Sequence, residues 1–150
     1  MKKIILGLSI VSLMFACNSK PAGTEEEVSQ EVVENGTTES EKGVSFLSPK
    51  AGETVTSPVK VVMGVAGMTV EPAGELHEGK GHHHIVIDGG AIPKGTVVPA
   101  DSLNIHFGKG QTETTLDLSA GKHTLTLQFA DGLHQSYGEE WSKTIEVTVE

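Results

Sequence analysis

Arginine is missing altogether from the 150-residue sequence. Its absence removes the planar guanidinium forks that grip phosphate and carboxylate. With 20 acidic residues against 11 lysines, it also removes the basic footprint of a nucleic-acid-binding protein, and no nucleic-acid partner is expected. Cysteine is nearly as scarce. The lone Cys17 excludes an intrachain disulfide and any Cys-x-x-Cys site. The apolar run Ile4–Phe15 is too short for a comfortable membrane span. No stretch shows a convincing helical period, and there is no Gly-x-Ser-x-Gly elbow, Walker loop or His-Glu-x-x-His helix. Gly108-Lys109-Gly110 has no helix pattern after it, so it reads as a turn, with Gly108 and Gly110 supplying the unusual dihedrals, and not as a phosphate cradle. The chain is therefore expected not to be an enzyme. A metal-dependent hydrolase is the weaker alternative, because nothing selects a base among Glu75, Glu78 and Glu113.

What is present begins with the first segment. "MKKIILGLSIVSLMFAC" joins a short basic start to an apolar run and a small residue before Cys17, the layout of a secretory signal peptide over residues 1–16. Its last four residues resemble a bacterial lipobox, which gives the only cysteine a use as the site of lipidation. Two acyl chains on Cys17 would anchor stably where one would be marginal. Asn18 does not match the aspartate-type inner-membrane retention signal, so the expected place is the bacterial cell envelope, at the outer membrane facing the periplasm. Losing Lys2 and Lys3 with the signal leaves 9 − 20 = −11 for the mature chain. Residues 18–43 carry seven glutamates, two lysines and no aromatic residue. Such a segment cannot bury enough surface to fold, and residues 17–43 are read as a lipidated cysteine followed by a disordered acidic linker.

From Val44 onward, alternating Val, Thr and Ile are broken by Gly and Pro. Strands are expected at 44–49, 58–67, 82–88, 103–107, 112–118, 122–130 and 142–150. Seven short strands with turn signals between them predict an all-β, immunoglobulin-like antiparallel β-sandwich over residues 44–150. Parity in "KHTLTLQFA" turns Leu125, Leu127 and Phe129 inward and Thr124, Thr126 and Gln128 outward. Met63 shares the core face of Val61 and Val65, and Tyr137 and Trp141 are expected at the core edge.

The histidines carry the chemistry. In "GHHHIVID" parity puts His83 with Ile85 and Ile87 on the core side, where it reads as structural. His82 and His84 share the other face, about 6–7 Å apart along the strand. A hairpin with Asp88 near Ser102 sets His84 opposite His106, with Cβ atoms about 4.5–5.5 Å apart. Alternating strand direction brings His77, His82–His84, His106 and His134 to one end of the sandwich and sends His123, read as structural, to the other. His82, His84 and His106, with His134 as a fourth candidate, would suit zinc or copper(II); Met68 as a ligand would favour copper(I). The competing reading is an interaction or envelope-structural module whose histidines form a polar network that orders the loops, with no metal. Both readings remain open at this level, as does the choice between a metal ion and an envelope protein as partner.

The segments "SPKAGETVTSPVKVVMGVAGMTVEPAG", "GKGHHHIVID", "HFGKGQTE" and "GKHTLTLQFADGLHQSYG" together resemble the bacterial extracytoplasmic family named domain of unknown function 4399. The resemblance spans about Val44 to Glu150. It implies a small secreted or lipid-anchored single-domain protein, with His82–His84, His106–Glu113 and His134 at pattern positions. It implies no activity, substrate or cofactor. His77 and Glu78 fall where the resemblance implies variable residues, which lowers His77 as a ligand.

Overall fold

The computed structural model describes residues 42–150. The expected signal peptide, the lipidation site Cys17 and the linker up to residue 41 lie outside the described residues. Alternating burial identifies the strands: Val44 and Phe46 face inward from β1 (Gly43–Ser48), as do Val59, Val61 and Met63 from β3 (Val59–Ala66). These two strands pair antiparallel, and β3 pairs antiparallel with β7 (Glu113–Leu116), giving a three-stranded sheet. The second sheet is larger. Its centre is β5 (Lys80–Ile87) against β8 (Gly121–Ala130), with β9 (Ser142–Val149) beyond β8. Two-residue strands complete it in parallel pairing: β2 (Thr54–Val55) on β9 and β4 (Thr69–Val70) on β5. Short β6 (Asn104–His106) pairs antiparallel with β5. The seven expected strands are all present, and β2 and β4 are additions too short to carry a periodic signal.

The two sheets face each other as a sandwich over a core that includes Val61, Ile85, Leu125, Leu127, Phe129 and Val147, all fully buried. Each such side chain contributes about 1.5–3 kcal/mol relative to an exposed one. Tyr137 and Trp141 pack at its edge, with ring centroids 6.1 and 6.2 Å from Phe129. The loops do converge at one end. Ala73 N–H donates to the Gly108 carbonyl (2.9 Å) and Gly74 N–H to the Gly132 carbonyl (2.9 Å), tying the β4–β5 connection to the β6–β7 and β8–β9 loops.

One expectation is overturned. Parity assigned His82, His84, Thr126 and Gln128 to a solvent face, yet none is more than 2% exposed. The alternation itself holds, but the far face of β5 and β8 is roofed. Thr126 Oγ1 donates to the Gly89 carbonyl (2.7 Å) and Ile92 N–H to Gln128 Oε1 (3.0 Å). Ser136 Oγ donates to the Ile92 carbonyl (2.8 Å), and Val98 N–H to the His134 carbonyl (2.9 Å). The β5–β6 connection is thus laced onto the β8–β9 loop, and its Val98 is buried. Side chains pointing away from the main core enter a second, smaller interior.

Candidate functional site

The site begins with the register of three strands. His84 lies opposite His106 on β6, as the hairpin reading required, and opposite Gln128 on β8. His82 lies opposite Ala130, whose small side chain leaves room for the ring. Ligand nitrogens of His82, His84 and His106 all lie within 4.8 Å of one another. Nε2 of His82 is 3.0 Å from Nε2 of His84. His134 joins from the β8–β9 loop, its Nε2 3.1 Å from that of His106. Ring centroids of the four imidazoles are 4.7 to 6.0 Å apart, so all four belong to one cluster.

Local chemistry explains the placement of the two outer rings. The His106 imidazole folds back over Gly108: a Cβ at residue 108 would stand 2.2 Å from His106 Cε1 and 2.3 Å from its Nε2. The glycine is there for close approach. The turn's left-handed residue is Gly110, with φ 76°; the expectation that Gly108 also supplied an unusual dihedral is corrected accordingly. His134 itself adopts φ 67°, rare for a residue with a side chain. Asp131 Oδ1 holds that loop by accepting from Leu133 and Gln135 N–H groups (both 2.9 Å). Gly132 permits the β4–β5 connection to press on it, since a Cβ there would overlap the Glu75 carbonyl oxygen at 1.7 Å.

The electrostatics favour neutral rings. Burial, reinforced by neighbouring imidazoles, pushes His82 down to about 4 and His84 to about 3. Burial and then His134 lower His106 as well. Neutral imidazole is the form that offers a lone pair to a metal. Nδ1 of His82 and of His84 is buried with no hydrogen-bond partner.

The other candidates fall elsewhere. His83 points into the main core, edge-on to Phe129 (5.1 Å) and fully buried, with both ring nitrogens unpartnered. Its ring is pushed down to about 4 by burial and by His82. His123 stands apart: Nδ1 meets Asp88 Oδ2 at 2.9 Å and Nε2 meets the Ser119 carbonyl at 3.0 Å. Met68 is half-buried against the hydrophobic core and is not among the converging donors. His77 makes its own exposed contacts, to Glu71 Oε1 at 2.9 Å and Glu75 Oε2 at 3.6 Å. Glu113 pairs with Lys60 (3.2 Å). Sequence reasoning overlooked Gln128, whose buried amide also donates to the Gly138 (3.1 Å) and Trp141 (3.2 Å) carbonyls. A polar residue on a strand face that looks solvated carries no warning of such a role.

Comparison with known proteins adds three findings. A family model described as a domain of unknown function (DUF4399) matches residues 61–150, well over half of the chain. No curated protein matches. Among solved structures, the endo-beta-1,4-mannanase from Thermotoga petrophila is similar at 19% identity and a TM-score of 0.44. The likeness covers 77% of this chain but 21% of the mannanase, and at that score it says nothing about chemistry.

Proposed function

We propose, for a chain that belongs to the domain of unknown function 4399 family, that the clustered histidines capture one divalent transition-metal ion, zinc(II) or copper(II). The observation that carries this reading is the convergence of His82, His84 and His106 within 4.8 Å, with His134 against His106. Nitrogens bound to a tetrahedral ion at about 2.0–2.1 Å stand about 3.3–3.4 Å from one another. The pairs at 3.0 and 3.1 Å are already near that spacing. The widest pair in the triad needs to close by roughly 1.4 Å to reach it, a movement open to the exposed His106 ring. An all-imidazole donor set suits zinc(II) and copper(II), whereas copper(I) prefers sulfur. We place the domain in the bacterial envelope, tethered by lipid on Cys17, and assign it binding and not catalysis.

A purely structural network is the competing reading, favoured by the two ring-to-ring contacts. Calorimetric titration of the full chain with zinc(II) and copper(II) separates the two. The metal reading expects one ion per chain, lost in the His82→Ala/His84→Ala double variant. Silence at micromolar metal, or binding unchanged in that variant, leaves the structural reading standing.

A further inference from the structure

The four rings of the cluster are unequal. His82 and His84 are sealed in the middle of a sheet, whereas His106 ends an edge strand in contact with solvent. His134 is half-buried, rides on a loop and occupies a left-handed backbone conformation. It also stands outside the triad whose ligand atoms share a 4.8 Å span: its Nε2 meets that of His106 at 3.1 Å, and its ring centroid lies 5.0 Å from that of His82. Support behind the rings is thin as well. Metal-holding imidazoles usually donate their second N–H to a fixed acceptor, which orients the ring and strengthens the bond. His82 Nδ1 and His84 Nδ1 have no protein acceptor. Sites that keep an ion as part of the fold close every coordination position and back the ligands from behind. This one is closed on the β5 side and open on the β6 side.

We infer that the site hands its ion on: His82, His84 and His106 hold it, and His134 is the displaceable fourth ligand through which an incoming donor gains access. The inference rests on the metal reading above. In the exchange, a lone pair on the incoming nitrogen or oxygen donor forms a bond to the ion as the bond to His134 Nε2 breaks. His134 keeps its lone pair and leaves as a neutral ring. The ion stays divalent throughout, so no oxidant or reductant is required. His106, on the open side, is released next, and the buried pair last.

The test is the rate at which the chelator 4-(2-pyridylazo)resorcinol removes zinc from the loaded full chain, followed by its absorbance. Entry beside His134 predicts a release rate that rises in proportion to chelator concentration. A rate independent of chelator concentration means that the ion leaves unaided from a sealed site, and overturns the inference while leaving the metal reading intact. A His134→Ala chain is expected to take up one zinc with affinity weaker by at least the roughly tenfold to hundredfold that losing a ligand's supporting partner costs, and to release it faster. Unchanged affinity and release in that variant, or complete loss of binding in a folded variant, each refute the displaceable role. Should His134→Ala not fold, the wild-type concentration dependence decides alone. Failure of the wild-type chain to take up zinc before chelator is added removes the metal reading, and this inference with it.

Discussion

Gly108→Ala tests whether the His106 ring sits where the site requires. Gly108 is not among the glycines with positive φ, so alanine is acceptable to the backbone. The atoms in its way all belong to one imidazole: Cε1 at 2.2 Å, Nε2 at 2.3 Å and Nδ1 at 3.2 Å. Ordinary carbon contacts begin near 3.5 Å, so the ring must swing away by on the order of 1 Å. Because Nε2 is itself crowded, the swing carries off a ligand atom and the 3.1 Å contact to His134. Displacing a ligand in this way should weaken zinc binding by at least what disturbing a ligand's supporting partner costs, about tenfold to a hundredfold or about 1.4–2.7 kcal/mol. The metal-free fold should hardly notice, since a tolerated Gly→Ala exchange contributes about 0.4–1 kcal/mol by restricting the unfolded chain. Zinc calorimetry beside thermal unfolding of the metal-free chain reads both quantities. Wild-type affinity in a folded variant refutes the reasoning. A collapse in melting temperature refutes it differently, by showing that the backbone and not the ring absorbs the clash.

Gln128→Leu should destabilise the chain by about 2–3 kcal/mol in urea unfolding, because leucine leaves the Ile92 N–H and the Gly138 and Trp141 carbonyls without their partner. A loss within experimental error shows that the β5–β6 connection is not fastened through that amide. The metal-free chain should also weaken as pH falls. Burial holds His82 and His83 near 4 and His84 near 3, so the unfolded chain, with ordinary imidazoles near 6.5, takes up protons first. Stability from these rings is complete above pH 6.5 and declines as pH falls from there to about 3–4, by at most about 1.4 kcal/mol per pH unit for any one ring. His123 opposes them: its bond to Asp88 raises its pKa, so its contribution is present below 6.5 and is lost as pH rises through the folded value. Three rings outweigh one partly solvated pair, and urea midpoints that stay level between pH 7 and pH 5 contradict the account.

Much of the site was legible because a strand has a period of two. Parity separated His83 from His82 and His84, and a single hairpin register placed His106 opposite His84. What parity cannot tell is whether the second face of a strand meets water. Residues 89–103 have no periodicity, and their roof is built from backbone groups bonding to Gln128, Thr126 and Ser136. Backbone donors look alike in every sequence, so the burial of His82 and His84 was hidden. Gly108 was misread for a related reason. A glycine needed for its dihedrals and one needed for space are the same letter.

The two nitrogen-to-nitrogen contacts have a consequence for the placing of protons. A neutral imidazole carries one N–H, so an Nε2-to-Nε2 hydrogen bond requires opposite tautomers in its two rings. The metal-free cluster therefore holds two rings protonated on Nε2 and two protonated on Nδ1. An ion drawing on all four Nε2 lone pairs obliges the first two to move their proton to Nδ1, and in one of His82 and His84 that N–H arrives where no protein group accepts it. Loading such a site is a rearrangement of tautomers inside a sheet whose backbone has no need to move.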